Sequence, residues 1–126
     1  MVAQAMRERL DEAAAVEVQR LGDIRMARPM KIAIDCGNGA TTSVAPRLFK
    51  ELGFEVTCVG CEPDGRNINR DCGSTHLDLL QKHVCEASAR LGVAFDGDGD
   101  RALFVDDRGR VVDGDAVLLL AAVIGY

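Results

Sequence analysis

Apolar residues in this chain form short runs that alternate with segments of helical spacing. The runs lie at residues 31–35, 54–60 and 93–95, and glycine-rich turns follow the first and last of them. Between the runs, residues 42–52 and 75–91 place apolar side chains at helical intervals. This alternation of strands and helices predicts an α/β fold with a mostly parallel sheet of about four strands flanked by helices.

A fourth strand is predicted at residues 101–107, shortly after the third. The gap is too short for a helical crossover, so we expect an antiparallel strand at the edge of the sheet. We expect Thr75 and Asp78 to form a capping box at the start of one helix and Gly92 to end that helix. Asp113 and Asp115 are interpreted as the cap and the first-turn charge of the last helix.

The two ends of the chain indicate a fragment of a longer protein. Residues 1–28 are interpreted as a helix and a linker, consistent with the end of a preceding domain, and residues 29–126 as the α/β domain. The last helix is apolar on all sides, which is typical of burial on more than one side. Coverage by an oligomeric partner is the alternative.

Charge and hydropathy exclude several classes of protein. A net charge of −5 without a basic cluster argues against a nucleic-acid partner. The N-terminus is charged where a signal peptide is apolar. The longest apolar run, residues 116–124, is far shorter than the ~20 residues that cross a bilayer. We therefore expect a cytoplasmic protein without a membrane partner.

The cysteines are expected to be reduced thiols of an intracellular protein. Cys58 and Cys61 form a CxxC pair, and a zinc site with Cys72 and His76 can be imagined, but the spacing matches no common zinc finger. Cys58 is expected in a buried strand. The role of the CxxC pair is left open. The full set is odd in number: Cys36, Cys58, Cys61, Cys72 and Cys85.

The main candidate for a functional site is a run of three aspartates, Asp96, Asp98 and Asp100, separated only by glycines. In a fully extended strand these side chains would lie ~6.7 Å apart, but glycine lets the segment curl and bring the carboxylates together. A hard divalent cation, Mg²⁺ above all, would offset their repulsion. The run also follows a predicted parallel strand, where open α/β sheets bind ligands.

There are three alternatives to a magnesium site. The first is an acidic surface turn, which would explain the glycines and aspartates without a metal. An EF-hand is excluded, because its sixth position would be Arg101 rather than glycine and its twelfth Asp107 rather than glutamate. A phosphatase of the haloacid dehalogenase type, with Asp96 as nucleophile and Asp98 as acid, stays a distant alternative, since little chain is left for its later motifs.

Several motifs together resemble the phosphohexomutases. The run "FDGDGDR" is similar to the metal-binding loop of that family. The motifs "IDCGNGA", "EPDGRNIN", "CGSTH" and "VDGD" stand in the order and spacing of its phosphoglucosamine mutase branch. The resemblance runs from about residue 31 to the end and corresponds to the second of the family's four domains.

This resemblance implies that Asp96, Asp98 and Asp100 hold Mg²⁺ and that Arg101 contacts the phosphoryl group. A salt bridge from Arg101 back to the aspartates is the alternative. The complete enzyme would interconvert glucosamine 6-phosphate and glucosamine 1-phosphate through a phosphoserine and a bisphosphate. The phosphosugar would bind together with the remaining domains of the same polypeptide.

The chain alone is expected to be inactive, because none of its three serines lies in a Ser-His motif of the kind that carries the phosphoserine. Two other identities stay open: a phosphomannomutase or phosphoglucomutase fragment, and a free-standing, non-catalytic Mg²⁺-binding domain.

Other polar residues are given structural roles. Residues 37–40, "GNGA", are interpreted as a turn rather than an anion site. His76 is expected to be exposed at a helix start. Asn67 and Asn69 are expected to hydrogen-bond the backbone of their own loop.

Overall fold

The structure is a computed structural model that describes Glu8, Glu12 and residues 30–123. The predicted helix and linker of residues 1–28 therefore lie almost wholly outside the described residues. The proposed boundary at residue 29 stays a prediction.

Five strands form one mixed sheet: β1 (Lys31–Asp35), β2 (Glu55–Val59), β3 (Leu91–Phe95), β4 (Ala102–Asp106) and β5 (Val111–Val112). Their order across the sheet is β2-β1-β3-β4-β5. β1 pairs in parallel with β2 and β3, while β4 is antiparallel to both β3 and β5. The predicted α/β fold is confirmed. The antiparallel fourth strand is confirmed too, but β5 rather than β4 forms that edge.

Within residues 30–123, three α-helices connect or follow the strands: α1 (Ala45–Glu51), α2 (Asp78–Ala87) and α3 (Gly114–Val123). A short 3-10 turn at Ala40–Ser43 leads into α1, which has Pro46 in its first turn. There the missing N–H of proline has no helical partner to lose. α1 ends before Gly53, whose φ of +95° lets the chain reverse.

Helices cover the sheet on both faces, and each face has its own apolar core. β1 contributes to both, because its alternate side chains point to opposite faces. One core joins Ala33 to Leu80 and Val84 of α2. The other joins Ile32, Ile34 and Cys36 to Ala45 of α1. β1 lies inside the sheet and is covered on both faces, which explains why its sequence is a nearly continuous apolar run.

The junction between α2 and β3 differs from the prediction. α2 ends at Ala87, and Ser88 adopts the left-handed conformation at its C-cap. Gly92 lies inside β3, where an added Cβ would come within 2.6 Å of a Val84 methyl group and 3.1 Å of Leu80. Gly92 is therefore required by the close approach of α2 to the sheet and does not end the helix.

The predicted capping box is also wrong. The N-cap of α2 is Leu77, and no side chain caps the helix there, although Asp78 supplies an acidic residue in the first turn. By contrast, Asp113 caps α3 as expected, since its Oδ1 accepts the Ala116 N–H at 2.8 Å. Asp115 lies in the first turn of α3.

α3 presents apolar side chains to the outside of the domain. Leu118 and Leu119 are 70% and 68% exposed. The expected burial of this helix on several sides is therefore not supplied by the described residues. In that same part of the chain, none of the helices has the length and apolar character that a bilayer crossing demands.

We expect Gly92→Ala to lower the free energy of unfolding by about 1–3 kcal/mol, because the new methyl group overpacks the contact with Val84 and Leu80. Urea denaturation followed by circular dichroism measures the change. Gly114→Ala is the matched control, since its Cβ would meet no atom within 4 Å, and it should change stability by less than about 0.5 kcal/mol. Equal effects of the two substitutions would contradict the packing argument.

Candidate functional site

Three loops meet at one edge of the sheet. β1, β2 and β3 run in the same direction, so the segments that follow them leave from the same side. Loop 1 (residues 36–39) follows β1, loop 2 (residues 60–77) follows β2, and loop 3 (residues 96–101) joins β3 to β4. Loop 3 contains the three aspartates singled out in the sequence.

Backbone hydrogen bonds fasten the three loops to one another. Asn69 of loop 2 donates its N–H to the Gly37 carbonyl of loop 1 at 2.7 Å. Ala40, directly after loop 1, donates its N–H to the Gly97 carbonyl of loop 3 at 3.0 Å. A Cβ on Gly39 would collide with the backbone of Gly97. Loops 1 and 3 therefore pack backbone against backbone, which only glycine at residue 39 allows.

Asp35, at the end of β1, is the anchor of this arrangement. Its side chain is fully buried, and its two oxygens accept the N–H groups of Gly37 at 2.9 Å and Gly73 at 2.7 Å. A Cβ on Gly60 would collide with the same carboxylate. Burial raises the pKa of Asp35, and the two N–H donors oppose that shift.

Sequence reasoning overlooked Asp35. Its signal was present in "KIAIDCGNGA", where an ionisable residue ends a buried strand directly before a glycine turn. A carboxylate in such a place needs donors, and backbone N–H groups of adjacent loops supply them here.

Loop 3 turns tightly around Asp96. The Asp96 carbonyl accepts the Gly99 N–H at 3.0 Å, and its Oδ1 accepts the Arg101 N–H at 3.2 Å. Gly99 has a φ of +72°, which a side chain would strain. The segment is curled rather than extended, as the glycines between the aspartates predicted.

Two of the three aspartates touch. Their side chains interact, which lowers the pKa of Asp96 and raises that of Asp100. Two negative charges this close repel each other. A divalent cation between them would offset that repulsion.

Asp98 stands apart from this pair. It is exposed and lines a groove of about 440 Å³ with residues of loops 1 and 2, among them Gly39 and Ile68. Within residues 30–123, no three carboxylate, thiol or imidazole side chains are grouped so as to hold a metal ion. The donor chemistry suits a hard cation, but the three-aspartate site stays a prediction.

Arg101 follows the aspartates on an exposed part of the hairpin. Its backbone N–H bonds Asp96, and no ion pair links its guanidinium to a loop 3 carboxylate in the part of the chain that the structure describes. The Arg101 charge nevertheless acts on this pair, because it partly offsets the raised pKa of Asp100, so the alternative of a salt bridge back to the aspartates stays open. A contact to a phosphoryl group stays a prediction.

The loop 2 residues divide between expected and unexpected roles. Asn67 bonds its own loop as predicted, accepting the Asp64 N–H at 3.0 Å and donating to the Glu62 carbonyl at 2.8 Å. The buried Oδ1 of Asn69 has no hydrogen-bond partner among the described residues, so the same prediction fails for that side chain. His76 is exposed as expected, beside the Thr75 hydroxyl.

All five cysteines are free. Cys58 is exposed, contrary to the predicted burial, because β2 is an edge strand. The imagined zinc site is not assembled in the described residues.

The fold and its loops define an α/β domain in which an acidic hairpin lies beside glycine-rich loops at one edge of the sheet. The family model "Phosphoglucomutase/phosphomannomutase, alpha/beta/alpha domain II" matches residues 6–109. The chain therefore belongs to the phosphoglucomutase/phosphomannomutase family, of which it is domain II. The family resemblance seen in the sequence is confirmed.

Individual relatives give the same result. The phosphoglucosamine mutase of Teredinibacter turnerae is 57% identical over 93 residues, which cover 74% of this chain and 21% of that protein. The phosphoglucosamine mutase of Deinococcus deserti is 60% identical over the same shares. A phosphoglucomutase/phosphomannomutase family protein of Burkholderia thailandensis matches in structure with a TM-score of 0.72 and 38% identity, over 86% of this chain and 25% of that one. The chain thus spans about a fifth of the length of these curated relatives.

We expect Asp35→Asn to lower the free energy of unfolding by about 1–3 kcal/mol at pH 5, because an amide can accept only one of the two N–H donors and leaves the other unpaired. Urea denaturation across pH measures the change.

The raised pKa of Asp35 sets the pH dependence. The folded state holds this proton more tightly than the unfolded state, so the stabilising contribution is complete below the ordinary pKa of about 4 and is lost as pH rises through the folded value. The difference in the free energy of unfolding between wild type and Asp35→Asn should therefore become smaller toward neutral pH. A difference in unfolding free energy that becomes larger toward neutral pH would mean that the two N–H donors lower the pKa of Asp35 by more than burial raises it.

Proposed function

We propose that this chain is the metal-loop domain of a Mg²⁺-dependent phosphoglucosamine mutase. The complete enzyme interconverts glucosamine 6-phosphate and glucosamine 1-phosphate in the cytoplasm through a phosphoserine and a bisphosphate intermediate. The observation that carries the proposal is the position of "FDGDGDR" on loop 3, at the ligand edge of a domain that belongs to this mutase family.

Loop 3 supplies the metal ligands in this proposal. Asp96 and Asp100, whose side chains interact, would share one cation, and Asp98 lies on the same turn, between two glycines that allow it to move inward. When bound, Mg²⁺ neutralises charge on the phosphoryl group during transfer. The Arg101 guanidinium, exposed at the end of the turn, contacts an oxygen of the same phosphoryl group.

The supporting loops keep this turn in place. Asp35 holds loops 1 and 2, and loop 1 packs against the backbone of Gly97. Binding at loop 3 therefore starts from a partly ordered site, which lowers the entropy lost when the ligands converge on the cation.

The phosphoserine belongs to another part of the full polypeptide in this proposal. Ser43, Ser74 and Ser88 are the only serines of the chain, and none stands in a Ser-His motif. The phosphosugar accordingly binds between this domain and the remaining domains, and the chain alone has no mutase activity.

A phosphomannomutase or phosphoglucomutase is the second candidate. It is favoured less, because the phosphoglucosamine mutases named above are 57–60% identical and the matching phosphoglucomutase/phosphomannomutase family structure is 38% identical. A free-standing Mg²⁺-binding domain without catalysis is the third, and it shares the same loop 3 chemistry.

We expect Mg²⁺ to bind the chain by calorimetry, and Asp98→Asn to weaken binding at least about tenfold, since the substitution replaces a charged oxygen ligand by an amide. Asp107→Asn is the matched control, because Asp107 is also exposed and lies just beyond β4, outside loop 3. Equal loss in both variants would indicate general charge screening, and unchanged binding by Asp98→Asn would remove the metal assignment.

The same titration should depend on pH. Cation binding requires ionised carboxylates, and contact with Asp96 raises the pKa of Asp100. Affinity for Mg²⁺ should therefore be highest near neutral pH and fall as the solution is acidified through the raised pKa. Affinity that stays constant down to about pH 4 would contradict a role for Asp100 as a ligand.

A domain exchange tests the enzyme assignment. We expect a chimera that carries residues 30–109 of this chain in the Teredinibacter turnerae phosphoglucosamine mutase to convert glucosamine 6-phosphate to glucosamine 1-phosphate. The same chimera with Asp98→Asn should lose at least about a hundredfold in kcat, since metal stabilisation of the phosphoryl group is worth several kcal/mol. A folded chimera that binds Mg²⁺ but lacks activity would favour the non-catalytic alternative.

A further inference from the structure

A third cysteine, Cys36, lies close to Cys61 of the CxxC pair in the folded domain. Cys36 directly follows β1, and Cys61 lies two residues beyond β2, its parallel neighbour. The Cys36 N–H and the Cys61 thiol both donate to the Val59 carbonyl, at 3.4 and 3.1 Å. The two cysteines are therefore held against the same peptide group, at the ends of adjacent strands.

Their side chains are in contact. Cys61 packs against the apolar core that contains Cys36, Ile34 and Ala45, and its thiol is near enough to that of Cys36 to lower the pKa of Cys36. The strand register, continued by one residue, places Cys36 opposite Gly60, so Cys61 is displaced by one residue. With strands ~4.8 Å apart and a rise of ~3.3 Å per residue, their Cα atoms would be ~6 Å apart, within the ~4.4–6.8 Å that disulfides span. A bond between these two sulfur atoms needs little backbone movement.

Only one of these two thiols can be reached from outside. Cys36 is fully buried, whereas Cys61 is half-buried and lines a cavity of about 540 Å³ between β2 and loop 2. Cys58, Cys72 and Arg70 line the same cavity. A small reagent can therefore meet Cys61 first, with Cys36 directly behind it.

We propose that Cys61 and Cys36 form a dithiol modification site, which a low-molecular-weight disulfide oxidises to an intramolecular disulfide bond. Cys61 loses its proton and attacks the reagent RSSR, forming a Cys61–SR bond and releasing RS⁻, which takes up a proton. Because contact with Cys36 and burial raise the pKa of Cys61, this first step should become faster as the pH rises. The Cys36 thiolate then attacks Cys61 Sγ, the Cys36–Cys61 bond forms, and a second RS⁻ leaves. The protein loses two hydrogens, and RSSR is reduced to two RSH.

Cys36 is favoured over Cys58 as the second thiol. The resolving step needs a thiolate, and contact with Cys61 lowers the pKa of Cys36. Although Cys58 is exposed, partial desolvation together with the charge of Cys61 raises its pKa to about 11, so that thiol stays protonated at neutral pH. The product would tie loop 1 to loop 2, the same loops that Asp35 holds.

The chain should be incubated with oxidised glutathione at neutral pH, quenched by alkylation, and mapped by mass spectrometry without reduction. We expect a single intramolecular disulfide that joins the Cys36 and Cys61 peptides and is reversed by reduced glutathione. Cys36→Ser should leave a Cys61–glutathione mixed disulfide, and Cys58→Ser and Cys85→Ser should leave the bond intact.

Three results would overturn the proposal: a Cys58–Cys61 bond, a stable mixed disulfide in the wild type, or no reaction at Cys61. Circular dichroism of each variant separates loss of the site from loss of the fold. In urea the unfolded wild type should give a mixture of pairings, and the same mixture from folded protein would also contradict the site. None of these outcomes depends on Mg²⁺ or mutase activity.

Discussion

The buried carboxylate of Asp35 is the interaction on which the ligand edge depends. Asp35 ends β1, an interior strand of the sheet. Its two oxygens accept the backbone N–H groups of Gly37 in loop 1 and Gly73 in loop 2, two residues that are 36 positions apart in the sequence. No apolar side chain could satisfy both donors, and no exposed one could reach them. Among residues 30–123 no charged group of opposite sign hydrogen-bonds this carboxylate, so its burial is tolerated only while both N–H groups stay in place. Loop positions at this edge are thereby coupled to the packing of the sheet itself.

Beyond Asp35, backbone contacts hold the neighbouring loops against one another, and these contacts are close because the residues involved are glycines. Gly39 lies against Gly97, so the first loop and the acidic hairpin touch without intervening side chains. The hairpin can then be short and highly charged, because neighbouring loops support it from behind. The side chains of Asp96 and Asp100 interact, which raises the pKa of Asp100, and Asp98 faces the groove. An acidic turn that is supported but incompletely neutralised is what a cation-binding half-site requires.

The dithiol of Cys36 and Cys61 lies at the same edge, one residue beyond the Asp35 anchor. A disulfide there would join by a covalent bond two loops that hydrogen bonds already connect. The proposed Mg²⁺ binding by loop 3 and the proposed disulfide between Cys36 and Cys61 would then both depend on the same arrangement of loops. The exposed Leu118 and Leu119 lie on a separate element, α3, and play no part in this edge.

Local patterns in the sequence determined the class of fold, the antiparallel course of β4, the α3 cap and the family. They could do so because strand and helix periodicity, turn glycines and the "FDGDGDR" run are all encoded within a few residues. Tertiary structure alone decided the rest. Gly92 looked like a helix stop but lies in a strand, because α2 packs within reach of its missing Cβ. Asp35 and the Cys36–Cys61 pair join residues from different strands and loops, and such contacts follow from how strands are ordered in the sheet, which no local pattern records.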